Sequence, residues 1–287
     1  MNDYLIMTDS SCDLPEELAR ELGIKVITLD FIVEGEEARK NDSIDAKQFY
    51  ELLRTGKMVT TSAVSIDRFM GEFEPTLKEG KDVLYLGFSS GLSGTYNAGF
   101  VAAGELAEKY PERKIYTVDT LCASLGEGLL VYLAAKKRLA GESIEAVRDF
   151  AENTKMQLAH QFTVDDLFFL HRGGRVGKTT AVMGTMLNIK PVLHVDDAGR
   201  LIKIGKVRGR KNSVNALFEK AKADAIGPAE QTMFICHGDC FDEASALAER
   251  LKSELGVKDV IIGYTGAVIG AHSGPETLAV FYIGTQR

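Results

Sequence analysis

The chain has 287 residues, 45% of them hydrophobic and 26% charged, which allows one large or two medium domains with an ample core. A formal net charge of −7 and a pI near 5.4 argue against a nucleic-acid footprint. No segment is apolar for long enough to span a membrane, and Met1 leads straight into a strand-like run without the basic and apolar regions of a signal peptide. The expectation is a cytoplasmic protein. Cys12, Cys122, Cys236 and Cys240 lack the spacing of a zinc site and read as reduced thiols, so neither metal nor cofactor is expected.

Tyr4 to Thr8 reads as the first strand, and Pro15 is well placed to start a helix that ends near Gly23. Lys25 to Val33 reads as a second strand, followed by an acidic loop at Glu34–Glu37. Helices are expected over Asp45–Thr55 and Ile66–Lys78, with the hydroxyl cluster Thr60-Thr61-Ser62 between them. Val83 to Leu86 is a short strand, Thr95 onward a helix, Lys114 to Val118 a strand, and Leu125 to Leu139 a helix. Another helix ends near Lys155. Strand and helix alternate through this half, which implies a largely parallel sheet covered by helices. After about Met156 the pattern changes. Pro191–Val195 and Leu201–Val207 flank Asp196-Asp197-Ala198-Gly199 as a β-hairpin. Helices over Lys211–Ala225 and Phe241–Leu255 mix with strands at Thr232–Cys236, Val260–Gly263 and Leu278–Ile283. The fold class is therefore α/β: a mostly parallel α/β domain over 1–157, then an α+β domain with a mixed or antiparallel sheet over 158–287.

The most informative stretch is Gly87-Phe88-Ser89-Ser90-Gly91-Leu92-Ser93-Gly94-Thr95, a Gly/Ser loop between a strand and a helix. In an open α/β sheet such loops lie at the carboxyl ends of strands, where ligands bind. Ser93 or Ser90 is a potential N-cap, and the helix start favours an anion. The loop has hydroxyls but no cation, which suits a carboxylate better than a phosphate. A capped helix behind a tight turn accounts for the segment about equally well. A third possibility is hydrolytic, because Gly87-Phe88-Ser89-Ser90-Gly91 fits the G-x-S-x-G nucleophile elbow; Ser89 or Ser93 would then serve a lipid esterase.

His171 to Thr179 resembles a P-loop, but the first glycine that motif needs falls on Arg172, and no clear strand precedes it. Nucleotide binding is rejected there; Arg175 could still reach a site between the domains. Arg208, Arg210 and Lys211 form a basic cluster in an acidic chain, either a solvated hairpin end or a contact for a partner. His272 lies in a Gly-rich stretch, Ile269 to Pro275, that reads as a loop between strands. His237-Gly238-Asp239 closes a buried strand, where a structural hydrogen bond is expected.

Taken in order, Thr8-Asp9-Ser10-Ser11 with Asp13-Leu14-Pro15, Thr60-Thr61-Ser62, Ser89 to Tyr96, Gly173 to Gly177, Lys190-Pro191, Val207 to Lys211, His237-Gly238-Asp239 and His272 before Gly274-Pro275 resemble the DegV family of bacterial fatty-acid-binding proteins from end to end. The resemblance implies two domains with one long-chain fatty acid between them. It implies a carboxylate held by Thr61, Ser93 and His272, with Asn97 one turn after Ser93 orienting the group. It further implies a non-catalytic, lipid-carrying subunit of fatty acid kinase, with a place in phospholipid metabolism. A separate ATP-binding protein would phosphorylate the bound carboxylate; as the densest positive patch in an acidic chain, Arg208, Arg210 and Lys211 are the expected docking surface for it. A lipid-binding protein without a kinase partner is the alternative. One departure stands out: where the family usually has Gly-Pro-Gly-Thr, this chain has Gly274-Pro275-Glu276-Thr277, which puts a charged side chain where the backbone needs freedom.

Overall fold

In the computed structural model, which describes residues 3–177 and 188–287, the chain opens with β1 (Tyr4–Asp9), α1 (Glu16–Glu21) and β2 (Ile24–Ile27). It continues through β3 (Asp30–Val33), β4 (Ala38–Lys40), α2 (Ala46–Arg54), β5 (Val59–Ser62) and α3 (Ile66–Lys78). Next come β6 (Asp82–Gly87), α4 (Thr95–Lys109), β7 (Ile115–Asp119), α5 (Leu125–Leu139) and α6 (Ile144–Thr154). The remainder is β8 (Leu158–Thr163), α7 (Leu167–Arg172), β9 (Ile189–Val195), β10 (Leu201–Arg208), α8 (Arg210–Asp224), β11 (Thr232–His237), α9 (Phe241–Leu255), β12 (Asp259–Tyr264), α10 (Ala267–Ser273) and β13 (Leu278–Ile283).

Four strands form a parallel sheet in the order β2-β1-β6-β7. All six residues of β6 are buried, which explains why its sequence is a continuous apolar run rather than an alternation. From β1 the chain passes to β2 on one side and later to β6 on the other. The loops after β1 and β6 therefore diverge at a topological switch point, the usual ligand position in an open α/β sheet.

β8 to β13 form a six-stranded mixed sheet, ordered β10-β9-β8-β13-β11-β12, in which only β11 and β12 pair parallel. Between the two sheets lies α5, with nine buried residues, and one apolar cluster runs from Tyr4 and Leu84 through Leu129 and Leu130 to Phe234 and Phe281. Gly126 permits this close packing, because a Cβ there would collide with the His160 imidazole of β8.

Two expectations need correction. Lys25 to Val33 is not one strand: it breaks at Thr28-Leu29, and β3 joins a separate antiparallel sheet ordered β4-β3-β5. The apolar run is continuous in sequence but serves two sheets. The supposed loop around His272 is largely the helix α10, ended by Gly274 at φ +79°.

Candidate functional site

The loop after β6 is fixed from two directions. Asp9, at the end of β1, accepts hydrogen bonds from the Phe88 backbone N–H (3.0 Å) and the Tyr85 hydroxyl (2.8 Å). Burial raises the Asp9 pKa, and those hydrogen bonds oppose the shift. From the second sheet, the turn between β9 and β10 lies on the same loop. Ser89 is fully buried, and its hydroxyl donates to the Gly199 carbonyl at 2.8 Å. Ser89 is thus a strut between two parts of the molecule. Gly94, not Ser93 or Ser90, is the N-cap of α4; the Ser93 Oγ nevertheless accepts the Thr95 N–H (3.2 Å) and bonds the Thr95 hydroxyl (2.9 Å).

Thr61, on β5, meets His272, in the last turn of α10, through an Oγ1–Nε2 hydrogen bond of 2.8 Å. Burial, reinforced by Arg175 and Arg172, pushes the His272 pKa down to about 4, so the imidazole is neutral near pH 7. Gly173 sits against its Nδ1 face, where a Cβ would clash. Arg175 is bound nearby through the carbonyls of Leu92 and Gly173.

These groups share a cavity of about 320 Å³. Thr61, Ser62, Ser93, Arg175 and His272 supply its polar pole; Phe88, Phe162, Leu170, Val195, Leu201 and Phe281 are among its apolar walls. A mostly apolar space with a few convergent polar groups is the usual form of a small-molecule site. His160 also lines it, held neutral by burial with its pKa pushed down to about 3. Ser62 was named in the sequence only as part of a cluster, and the reach of Arg175 depends on the turn after α7.

The remaining sequence candidates fall outside the cavity. Asn97 is exposed on α4: the helix begins only at Thr95, so one turn's spacing from Ser93 does not carry it to the same face. Arg208 and Lys211 are exposed, but Arg210 is half-buried and its guanidinium bonds Glu243 of α9 at 2.6 and 2.8 Å. Ligand atoms of Cys240, Glu243 and Glu276 lie within 4.8 Å of one another, yet Arg210 donates to both Cys240 and Glu243 and brings positive charge to where a cation would sit. All four cysteines are free and buried. The His237 Nδ1 accepts the Cys240 N–H at 3.3 Å, the structural role expected of it. The P-loop-like stretch follows a helix, α7, rather than a strand; its Lys178-Thr179 end lies outside the described residues. Glu276 does adopt φ +60°, and Arg54 of α2 pairs with it at 3.2 Å and with Asp239 at 2.5 Å.

A family model described as the DegV family of uncharacterised proteins matches residues 4–285. The chain belongs to the DegV family. A DegV domain-containing protein of Clostridium perfringens is 45% identical over 100% of this chain and 99% of its own length. Among solved structures, a fatty-acid-binding DegV family protein from Thermus thermophilus is 32% identical, with a TM-score of 0.86 and coverage of 98% and 99% of the two chains. A DegV lipid-binding protein from Thermotoga maritima is 29% identical with a TM-score of 0.86 and 99% coverage of both chains. The mixed α/β architecture seen here is thus that of the DegV fold, and among the described residues no helix is long and apolar enough to cross a membrane.

Proposed function

We propose that this DegV-family chain binds one long-chain fatty acid in the cavity and presents its carboxylate to a separate ATP-dependent kinase for acyl-phosphate formation. The observation that carries the first part is that Thr61, Ser93 and the neutral His272 imidazole line one largely apolar cavity, with Arg175 beside them but bonded to the Leu92 and Gly173 carbonyls. The fatty-acid-binding relatives from Thermus thermophilus and Bacillus subtilis support the ligand class. With the His272 proton on Nε2, the ring donates to the Thr61 oxygen, and the Thr61 hydroxyl proton is left to point at a carboxylate. The Ser93 hydroxyl supplies a second donor. Such a pole holds a carboxylate without a full cationic clamp, which leaves its oxygen nucleophilic toward a phosphoryl donor. The kinase half of the proposal rests on the family resemblance, and Arg208 with Lys211 is the exposed basic surface that suits an incoming partner.

Hydrolysis is the weaker reading. Ser89 is buried and spends its proton on the Gly199 carbonyl, and the side-chain bonds of Ser93 go to Thr95 rather than to a base.

Native mass spectrometry of the purified protein tests the ligand, with a copurified acyl chain or stoichiometric uptake of added palmitate as the expected result. A protein that stays empty would refute fatty-acid binding. Acyl-phosphate formation on adding the cognate kinase and ATP tests the second half, and should fall in an Arg208→Ala/Lys211→Ala variant that still binds palmitate. Binding without phosphorylation by that kinase would reduce the role to lipid binding alone.

A further inference from the structure

The Asp13-Leu14-Pro15 stretch plays no part in the reading above, yet Asp13 touches the machinery from outside. The helix that carries His272 has only seven residues, too few to be stable alone. Its N-cap is Gly266, which has no side chain to offer the first N–H groups. Those groups are served by the other half of the chain. The Asp13 Oδ1 accepts the Gly266 N–H at 3.0 Å, and the Asn41 Oδ1 accepts the Val268 N–H at 2.8 Å. His272 follows Val268 by four residues, about one helical turn or 6 Å of rise. A change in seating at the start of α10 therefore passes directly to the imidazole.

The second oxygen of Asp13 accepts the Ser124 hydroxyl at 2.5 Å. Ser124 lines the cavity and has φ +53° and ψ −146°, a conformation nearly reserved for glycine. Asp13 itself is left-handed at φ +52°. A single carboxyl thus fixes a strained cavity-wall residue and the His272 helix together. Asp13 as a residue is half-buried, but its carboxyl lies deep enough that desolvation pushes its pKa up to about 7 despite the opposing bonds from Ser124 and Gly266. A desolvated carboxyl detracts from stability where it stands, and such a group is more often retained for a site than for a core.

We propose that Asp13 is a positioning residue of the carboxylate pole: with Asn41 it seats the start of α10 so that His272 Nε2 reaches Thr61. The proposal rests on the reading that His272 serves the bound carboxylate, and its test separates the two. Palmitate affinity, the His272 imidazole 15N resonances and thermal unfolding of the empty protein are measured for the wild type and for Asp13→Ala, Asp13→Asn, Asn41→Ala and His272→Ala. Asp13→Ala should weaken palmitate binding about tenfold and shift the Nε2 resonance as its bond to Thr61 loosens. Asp13→Asn, whose amide oxygen still accepts the Gly266 N–H, should recover most of both. Unchanged affinity and an unchanged resonance in Asp13→Ala would overturn the proposal. So would a lowered unfolding temperature with the resonance intact, or an Asp13→Asn variant no better than Asp13→Ala. Should Asp13→Ala not fold, Asn41→Ala carries the same test through the Val268 bond. Wild-type palmitate affinity in His272→Ala would instead sink the carboxylate reading itself.

Discussion

The two walls of the cavity that carry Ser93 and Thr61 differ in construction. Ser93 follows β6, a central strand of the parallel sheet with every residue buried, and its loop is tied down by Asp9 on one side and by the Gly199 turn on the other. Thr61 sits on β5, an edge strand of a three-stranded sheet, with Thr60 and Ser62 exposed on either side. One donor is placed by the large core between the two sheets, the other by a smaller apolar cluster of Phe31, Val33, Phe49, Tyr50, Leu53 and Val59 with Ala267 and Ala271 of α10, to which polar ties are added: the His272 bond, the Asn41 contact with α10, and the Arg54 pairs with Asp239 and Glu276. A site assembled this way combines a point fixed in the main core with one carried by a smaller, separate cluster, so the second should respond to perturbations that leave the first untouched.

The largest expected effect tests the fixed wall. Leu84→Ala in β6 empties a fully buried position and should cost about 2–5 kcal/mol in urea unfolding, whereas Thr60→Ala on the exposed face of β5 should stay within about 0.5 kcal/mol. Equal costs would erase the contrast. Ligand binding sharpens it next. Ser93→Ala removes one donor and should weaken palmitate binding by about 1.5 kcal/mol, close to tenfold, in calorimetric titration. Thr61→Val removes a donor and also strands the His272 Nε2, so its loss should approach about 3 kcal/mol, or a hundredfold. A larger loss for Ser93→Ala would mean that the pole is organised around β6 instead. The smallest effect concerns Arg54. Its side chain is 39% exposed, so the ion pairs contribute about 0–1 kcal/mol. Arg54→Ala should lower thermal stability slightly, by an amount that shrinks toward nothing at 1 M salt; salt-independent destabilisation would show that packing rather than charge is at work.

The parallel half of the fold was legible because its strands are short continuous apolar runs separated by helix-period segments, and the β9–β10 hairpin because Asp-Asp-Ala-Gly marks its turn. The hydroxyl-rich loop stood out as a candidate ligand site, and its Ser93 lines one cavity with Thr61 and His272. What escaped depends on partners distant in sequence. No local pattern marks α10 as helical when Gly266, Gly270 and Gly274 punctuate it and its caps come from Asp13 and Asn41. Arg210 looks free in sequence, since nothing there reveals that Glu243 lies beside it. Ser89 and Ser93 look alike in the loop, and only the arrival of the Gly199 turn makes one a strut and leaves the other on the cavity.

The bond between Thr61 and His272 joins residues 211 positions apart, and this has a consequence for synthesis. A chain emerging at about 5–20 residues per second exposes Thr61 about 10–40 s before His272 can reach it. For the later part of that interval, once β7 has emerged, the parallel sheet has all four of its strands and Ser93 has been made, but the pole lacks its imidazole and α10 does not exist. The Thr61–His272 pair is therefore incomplete until α10 has been made. On the proposed function, occupancy of the pole by an acyl chain would report that α10 has been made and packed against β5.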